Sequence, residues 1–403
     1  PPPPPPLNLR RQRQMCIRDR LCRDNRKLLH ISSNNLKYFQ KRYVAWLLCF
    51  MTAAACPVLL LDTLSSISYY FCEVLPASLF SICFQTGFDG AQQEINVRLV
   101  TRSDFDGSVC TAILEELGLI DDILYVHPKD MQDNKVAVTQ NDILANVPFV
   151  NGCGLWFDHH SSEHDRLQLD GKFKGASKNA PSAAQVVYDY YKQDKACADK
   201  LKKFKKLIQI AGKADSAKFT KEDILRPKGW IMLAFIADPR TGLGYKRSFS
   251  ISNFELMKKL PQLLRTKKVE EILSLPDFQE RVKLYHEENK KYEQLITRSA
   301  RTEGDAIVID LRNCEAIPVG NRFLEYVLYP EQNISIRIVD GKNKAFAMIS
   351  VGHSIINPTS AVNVGALTLK YGGGGHKRVG TCQVAYEDVD RVVSEMLDVI
   401  NAS

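Results

Sequence analysis

The stretch LWFDHH, residues 155–160, decides the fold class of this chain. Its first three residues form a short apolar run that follows Gly152 and Gly154. Such a run predicts a strand of a sheet that is covered on both faces, as in α/β proteins. Ligand sites in open α/β sheets lie beyond the carboxyl ends of the strands, where the acid and the two imidazoles follow this strand. A polar loop is the alternative that this stretch alone leaves open.

The composition is that of a globular protein with room for two domains. The chain has 403 residues, of which 45% are hydrophobic and 25% are charged. The formal net charge is +8, but residues 1–95 carry 11 Lys and Arg against 6 Asp and Glu, so the rest of the chain is nearly balanced. A long polyanion requires a basic stripe, which a balanced chain does not supply. Any anion-binding patch must therefore be local.

The cysteines indicate a reducing compartment. None of the 11 cysteines forms a C-x-x-C pair, so the sequence has no zinc-ribbon or redox motif. Six cysteines lie in residues 1–95, and the other five are scattered through predicted strands and helices, where a free thiol behaves as a small hydrophobe. We therefore predict a cytoplasmic protein.

Residues 1–95 differ in character from the rest of the chain. They open with six prolines and an Arg-rich stretch, and residues 43–61 contain no charged residue. About 20 apolar residues can span a bilayer, so a membrane anchor flanked by Lys41 and Arg42 is one interpretation. However, MCIRDR at 15–20 resembles translated sequencing adapter, and ordinary globular sequence begins abruptly near residue 96. We predict a non-native or disordered extension and no membrane attachment.

Two acids follow the first predicted strand of the globular part. A strand at residues 97–102 leads into SDFDGS, and an amphipathic helix is predicted from residue 109 to about 118. Carboxylates at i and i+2 of extended backbone project to one side, which lets Asp104 and Asp106 reach adjacent cations. The alternative is an Asp-Gly turn leading into a helix capped by Ser108.

Two further acids follow apolar segments. Strands are predicted at 123–127 and 136–139, and Asp142 comes just past the second of them. Asp215 follows the apolar part of a basic helix. Each acid alone could be a surface cap. Unpaired carboxylates crowded into one crevice repel each other, and a bound cation removes that penalty, so the acids together indicate a metal site.

These segments, in this order, resemble the DHH phosphoesterase family, which is named after the triplet at 158–160. VTRSDFDG, NDILANVPF, LWFDHH, PSAAQVVYDYY, KADSAKFTKEDIL and DPRTGLG are together similar to a bacterial subgroup called exopolyphosphatase-related proteins. The resemblance covers about residues 97–400. It implies a two-lobed α/β fold, with a mostly parallel sheet in the N-terminal catalytic lobe and a smaller α/β C-terminal lobe. The implied domains are a catalytic domain at 96–253, a helical linker at 254–300 and a DHH-associated substrate-binding domain at 301–403.

The resemblance also implies two ions, either Mn²⁺ or Mg²⁺, which suit hard oxygen ligands with an imidazole. Such a pair would activate a bridging water. One ion would be held by Asp104 with Asp142, and the other by Asp106, His159 and Asp215, with Asp142 bridging.

The rest of the DHH motif receives roles beside the ions. Asp158 would orient the histidines or complete the metal shell, and His160 would contact the substrate phosphate or the leaving group. One position departs from the family pattern. Several branches have a metal-binding histidine four residues before the first Asp of D-x-D, and here that residue is Val100. The first ion site would therefore be weaker or would complete its shell with water.

The second half of the chain carries the glycine run YGGGGHKR at 371–378. Consecutive glycines let backbone N–H groups converge on an anion, although a flexible linker is the alternative. The run lies between a predicted helix and a predicted strand, which favours a binding site. YGGGGH resembles the signature of the DHH-associated domain, which binds the non-scissile part of the substrate. The implied substrate-binding residues are Gly373, Gly374, Gly375, His376, Arg378 and His353, with Arg240 as a phosphate contact or a structural salt bridge.

These expectations define a divalent-metal-dependent phosphohydrolase. Its substrate would be a short oligonucleotide or nucleotide derivative in preference to polyphosphate, because the core is nearly neutral and the second lobe resembles those of enzymes that bind nucleotides. The alternative is a nucleotide-binding or sensory module with a degenerate metal site, which Val100 supports and the retained acids oppose. A membrane-tethered protein is a third hypothesis. We expect no stable protein partner.

Overall fold

The structure of the chain is a computed structural model that describes residues 96–160, 163, 173–246 and 248–403. The predictions for residues 1–95, including the apolar segment at 43–61, lie outside the described residues. Within the described ranges, no helix combines the length and the apolar character that crossing a bilayer requires.

The first lobe alternates strands and helices. Its elements are β1 (Arg98–Thr101), α1 (Phe105–Glu116), β2 (Asp122–Tyr125), α2 (Pro128–Gln132), β3 (Asp142–Ala145), β4 (Leu155–Asp158), β5 (Gly175–Ser177), α3 (Ala183–Tyr191), α4 (Lys195–Leu201), α5 (Lys205–Asp215), α6 (Lys221–Leu225) and α7 (Gly229–Ala237). The strands pair in the order β2-β1-β3-β4-β5, and every pair is parallel. The prediction of an α/β fold with a parallel sheet is confirmed.

The central strands are apolar because both faces of the sheet are covered. Leu99, Val100, Leu144 and Trp156 are fully buried. Helix α1 packs against α3 and α5. The turn from β1 into α1 requires glycine at position 107, since a Cβ atom there would lie 2.1 Å from the carbonyl oxygen of Arg102. This tight turn places the D-x-D acids at the carboxyl end of β1.

The predicted strand at 136–139 was placed wrongly. In the structure the strand is β3, which starts at Asp142, and its residues are buried. Val136 and Val138 are only partly buried and pack against the core from the segment before β3. The alternating apolar residues at 136–139 thus belong to a loop, and the strand begins three residues after it. Asp142 is therefore at the start of the strand and not beyond its end.

The second lobe follows a helical segment. Its elements and that segment are α8 (Asn253–Thr266), α9 (Val269–Leu273), α10 (Pro276–Ser299), β6 (Ala300–Glu303), β7 (Ala306–Asp310), α11 (Leu324–Leu328), β8 (Ile334–Asp340), β9 (Ala347–His353), α12 (Val364–Leu369), β10 (Gly374–His376), β11 (Val379–Val384) and α13 (Val389–Asn401). The six strands pair in the order β10-β11-β9-β8-β7-β6, and β7 and β8 form the parallel pair of this mixed sheet. One core joins the sheet to α12 and α13, with Ile336, Ile349, Val364 and Met396 at its centre.

Candidate metal centre

Asp104 caps the N-terminus of α1. Its Oδ1 accepts hydrogen bonds from the backbone N–H of Gly107 at 2.9 Å and from Nδ2 of Asn146 at 3.1 Å. Its Oδ2 forms an ion pair with Nε of Arg102 at 3.2 Å. The carboxylate therefore already has a cation and two N–H donors from the protein.

Asp106 is held by the N-terminus of another helix. Its two carboxylate oxygens accept hydrogen bonds from the backbone N–H groups of Ala183 at 2.8 Å and Ala184 at 2.9 Å. These N–H groups belong to the first turn of α3 and have no partner inside the helix. Burial, followed by the charges of Asp215 and Asp104, nevertheless raises the pKa of Asp106 well above its ordinary value. The carboxylate is fixed in place, but no Lys or Arg side chain of the described residues forms an ion pair with it.

His159 presents a lone pair to the site. Its Nδ1 lies 3.2 Å from the backbone carbonyl oxygen of Ala180, which can only accept, so we assign the proton to Nδ1. Nε2 is then an acceptor; it is buried without a hydrogen-bond partner and lies 3.2 Å from Oδ2 of Asp215. Burial lowers the pKa of His159 and so favours the neutral ring. A lone pair facing a carboxylate is unfavourable, and a cation between the two atoms relieves the repulsion.

Asp215 completes this group of ligands. It is the last residue of α5, where the free carbonyls of the helix disfavour a negative charge. Burial raises its pKa. Ligand atoms of Asp106, His159 and Asp215 all lie within 4.8 Å of one another. Two carboxylates with one neutral imidazole fit a hard divalent cation such as Mn²⁺ or Mg²⁺.

Asp158 and His160 form a second pair beside the ligands. Oδ1 of the buried Asp158 lies 2.9 Å from Nδ1 of His160. Burial alone disfavours a charged imidazole, but the hydrogen bond and the charge of Asp158 outweigh it and raise the pKa of His160. Asp158 therefore orients His160, whereas the backbone carbonyl of Ala180 orients His159.

The second lobe reaches the site through His376. The rings of His376 and His160 are stacked, with centroids 5.9 Å apart and planes inclined by 25°. The adjacent glycines differ in their surroundings. A Cβ atom at Gly373 or Gly375 would lie 2.1 or 2.2 Å from a carbonyl oxygen of β11, whereas Gly374 has open space around it. Close packing of the hairpin explains Gly373 and Gly375, and among the three glycines predicted to bind substrate Gly374 is the one with open space around it.

The prediction that Asp142 bridges two ions requires correction. Asp142 is the first residue of β3 and lies opposite Arg98, the first residue of β1. Its Oδ1 accepts from Nε of Arg98 at 2.7 Å, and its Oδ2 accepts from the backbone N–H of Thr139 at 2.6 Å. The D-x-D acids follow the carboxyl end of β1, whereas Asp142 lies at the amino end of the central strand β3. Asp142 and the D-x-D acids therefore lie at opposite ends of the parallel strands.

Asn146 occupies the position expected of Asp142. It follows the carboxyl end of β3, is 1% exposed and has a positive φ of 58°. Its Nδ2 donates to Asp104, and its Oδ1 is a buried acceptor without a partner. Asn tolerates the left-handed conformation better than most residues. A polar residue that ends the buried run DILA was the signal in the sequence.

Arg102 is a second residue that the sequence analysis missed. Besides pairing with Asp104, its charge lowers the pKa of His160 and that of Asp215, although other effects outweigh it in both cases. The ion pair with Asp104 places the guanidinium at the site.

The remaining predicted contacts lie at different depths. His353 is 7% exposed and its Nε2 lies 2.9 Å from the carbonyl oxygen of Val362, so the backbone holds its ring in place, and its role as a substrate contact stays a prediction. The side chain of Arg240 makes a bidentate ion pair with Asp238, at 2.8 and 3.0 Å. The salt bridge is therefore present in the structure, and the contact of Arg240 with phosphate stays a prediction. Arg378 lies between β10 and β11, with its carbonyl accepting from the backbone N–H of His353.

Arg240 nevertheless lies close to the acids. Burial lowers its pKa, but the charge of Asp238 and the weaker effects of Asp104 and Asp215 raise it on balance. Its side chain is 53% exposed, so part of the guanidinium remains accessible to an anion.

Comparison with known proteins identifies the family. No family model matches the chain, and no curated protein matches it. Among solved structures, the pGpG-specific phosphodiesterase PggH from Vibrio cholerae is 43% identical, with a TM-score of 0.65; the match covers 76% of this chain and 99% of that one. The chain belongs to the DHH phosphoesterase family. The predictions that the chain belongs to this family and that it is a metal-dependent phosphoesterase are confirmed.

More distant DHH proteins also match. The DHH domain of a member of the S1P family of ribosomal proteins is 12% identical over 76% of this chain and 86% of its own, with a TM-score of 0.48. RecJ from Thermus thermophilus in complex with Mg²⁺ is 16% identical over 81% of this chain and 52% of its own, with a TM-score of 0.39. Matches at this level carry no argument about the substrate, and the exopolyphosphatase-related subgroup stays a prediction.

Proposed function

We propose that this DHH protein hydrolyses a linear dinucleotide of the pGpG type to two mononucleotides. The observation that carries the proposal is the convergence of Asp106, His159 and Asp215 at ligand distance, beside a histidine pair contributed by both lobes. The dinucleotide class is supported by the 43% identity to a pGpG-specific phosphodiesterase over nearly its whole length. The nearly neutral composition of the globular part also favours a short substrate over a long polyanion.

The ligand residues would hold Mn²⁺ or Mg²⁺. When bound, such an ion supplies Lewis-acid charge and an activated water for attack on phosphorus. The protein contributes orientation: α3 fixes Asp106, and the carbonyl of Ala180 turns Nε2 of His159 toward Asp215. Fixed ligands avoid reorganisation when charge develops in the reaction.

His160 would donate a hydrogen bond to the substrate. Its hydrogen bond to Asp158 favours the charged imidazole, and a charged imidazole is a donor at both nitrogens. With Nδ1 occupied by Asp158, Nε2 is the nitrogen that can donate to a phosphate oxygen or protonate the leaving 3′ oxygen.

The second lobe would bind the part of the dinucleotide that does not react. His376 stacks on His160, and the exposed backbone at Gly374 lies two residues away. Arg240 is a further phosphate contact from the first lobe. A substrate held by both lobes must be short enough to fit between these groups.

The test offers several substrates in parallel to the purified chain with Mn²⁺. They are pGpG, a second linear dinucleotide, a longer RNA, cyclic diguanylate, a 3′,5′-bisphosphate nucleotide, pyrophosphate and polyphosphate, with products separated by chromatography. We expect mononucleotide release from the linear dinucleotides and much slower release from the other compounds. Faster hydrolysis of polyphosphate would contradict the substrate class. Tight binding of a nucleotide without turnover would support the sensory alternative.

A matched pair of variants tests the site itself. Asp106→Asn should lower kcat at least about 10²-fold, because it removes a charged ligand while keeping the shape of the side chain. Asp142→Asn makes the same chemical change at the amino end of the strands, away from the site. This variant should retain a rate close to that of the wild type. Equal losses in both folded variants would contradict the assignment.

We also propose a cytoplasmic location. The cysteines in the described ranges are all free, as expected in a reducing compartment: Cys110, Cys153, Cys197, Cys314 and Cys382.

A further inference from the structure

The environment of Asp104 differs from that of the other acids at the site. Among the described residues, neither Asp106, which accepts two backbone N–H groups, nor Asp215 forms an ion pair with a Lys or Arg side chain. Asp104, in contrast, is contacted by Arg102, by Asn146 Nδ2 and by the N–H of Gly107, at 3.2, 3.1 and 2.9 Å. Its negative charge is therefore already compensated by groups of the protein.

A second ion beside Asp104 would have few other ligands. Val100 stands four residues before Asp104 and is fully buried in the core beside Leu144 and Trp156. Asp142 forms an ion pair with Arg98 at the opposite, amino end of the strands. Asn146 is neutral, and its amide nitrogen already faces Asp104, which directs the unpartnered Oδ1 elsewhere. Asp104 is thus the one charged oxygen ligand that the described part of the chain supplies at that position.

The charge of Arg102 also opposes a second ion. The guanidinium lies in ion-pair contact with the same carboxylate that would have to bind the metal, and two like charges at one carboxylate repel each other. The other group of ligands has no such competitor, since no Lys or Arg of the described residues forms an ion pair with Asp106 or Asp215. The basic ring beside this group is that of His160, which packs against His159 with centroids 4.1 Å apart.

We infer that this protein binds one divalent ion, at Asp106, His159 and Asp215, and that the guanidinium of Arg102 takes the place of a second ion beside Asp104. Arg102 is 29% exposed and uses Nε for Asp104, which leaves its two terminal nitrogens for an anion. Guanidinium groups bind phosphate oxygens with two parallel hydrogen bonds. Arg102 is then a catalytic residue that contacts the scissile phosphate, a role that rests on the proposed function.

The number of ions can be measured without any substrate. The full chain is dialysed against excess Mn²⁺, and bound metal is determined by elemental analysis. We expect one ion per chain and the six-line paramagnetic resonance spectrum of an isolated Mn²⁺. Two ions about 3.5–4 Å apart would instead show magnetic coupling. Two ions per chain with a coupled spectrum would overturn the inference, whatever substrate the enzyme cleaves.

Arg102→Gln tests the catalytic part. It should lower kcat roughly 10²–10³-fold, the loss expected when one donor to a developing negative charge is removed. Arg98→Gln is the matched control. Arg98 also pairs with an aspartate, Asp142, but this pair lies at the amino ends of the parallel strands, away from the site. We expect that control to keep its rate. A wild-type rate in Arg102→Gln would overturn the role of the guanidinium.

A designed gain of metal binding tests the replacement directly. Combining Arg102→Ala with Asn146→Asp removes the competing charge and supplies a second carboxylate next to Asp104. This double variant should bind two ions per chain, and a stoichiometry of one would overturn the replacement. If the wild type binds one ion but cleaves none of the offered substrates, the proposed function fails while the single-ion site stands.

Discussion

Replacing Asp215 with Asn should strengthen the metal-free fold and abolish its response to manganese. In the metal-free protein, the half-buried carboxylate of Asp215 faces the buried carboxylate of Asp106, and Asp215 also ends a helix whose carbonyls repel it. Asparagine removes both repulsions. Its amide can also donate to Nε2 of His159, which has no hydrogen-bond partner in the structure.

The size of the gain follows from the geometry. Two unit charges about 5 Å apart repel by roughly 3 kcal/mol at an effective dielectric constant near 20. The helix terminus adds about 0.3–1 kcal/mol. Because the side chain of Asp215 is 21% exposed, water screens part of this repulsion. We therefore expect Asp215→Asn to raise the free energy of unfolding of the metal-free protein by about 1–2 kcal/mol.

The gain should depend on pH in a defined direction. Burial raises the pKa of Asp215 in the fold, so the folded wild type is penalised above that pKa and relieved as a proton binds at lower pH. Asparagine carries no proton to take up. The advantage of the variant is therefore largest near pH 8, where the carboxylate is charged, and shrinks as the pH falls through the raised pKa.

Urea unfolding in a chelator and in Mn²⁺ provides the assay. Manganese at 100 times its dissociation constant should stabilise the wild type by about 2.7 kcal/mol and should leave Asp215→Asn unchanged. Asp142→Asn serves as the control, since it weakens the pair with Arg98 and should lower stability in both conditions. A metal-free Asp215→Asn protein that is less stable than the wild type, yet still responds to manganese, would refute the reasoning.

Three further outcomes can be checked on purified variants. Gly107→Ala should lower stability by at least about 2 kcal/mol in thermal unfolding, because its Cβ meets a carbonyl oxygen, whereas Gly374→Ala, which faces open space, should change stability by less than about 0.5 kcal/mol. In steady-state kinetics, His376→Ala should raise KM for the dinucleotide about tenfold with a smaller change in kcat, as expected for a group that binds substrate from the second lobe. Glu325→Gln leaves the guanidinium of Arg337 without its buried partner and should lower the unfolding free energy by about 3 kcal/mol in urea.

The sequence predicted the strand ends better than the partners of the acids. The apolar run before Asp158 and the D-x-D turn after β1 both mark carboxyl ends of buried strands, and the structure has β4 and β1 there. Asp106, His159 and Asp215 come from distant parts of the chain and lie within 4.8 Å of one another. The carboxyl ends of parallel strands meet at the same side of a sheet, so burial and strand direction suffice for Asp106 and His159, whereas Asp215 is the last residue of helix α5.

The prediction for Asp142 failed because one strand was assigned to the wrong segment. Moving β3 from 136–139 to its observed position makes Asp142 the first residue of the strand, where Arg98 neutralises it, and puts Asn146 after the strand. The ion pair of Arg102 depends on where a long side chain turns in space, which strand patterns do not describe.

The short segment before and at the start of α3 controls two ligands that lie far from it in sequence. The carbonyl of Ala180 sets the proton position on His159, and the N–H groups of Ala183 and Ala184 hold Asp106. All three contacts come from the main chain of alanines, so an alanine scan of the protein would pass over these positions and record nothing. Proline at 183 is compatible with the first turn of a helix but deletes one of the N–H donors, which makes it the substitution that exposes this hidden dependence of the metal site on backbone.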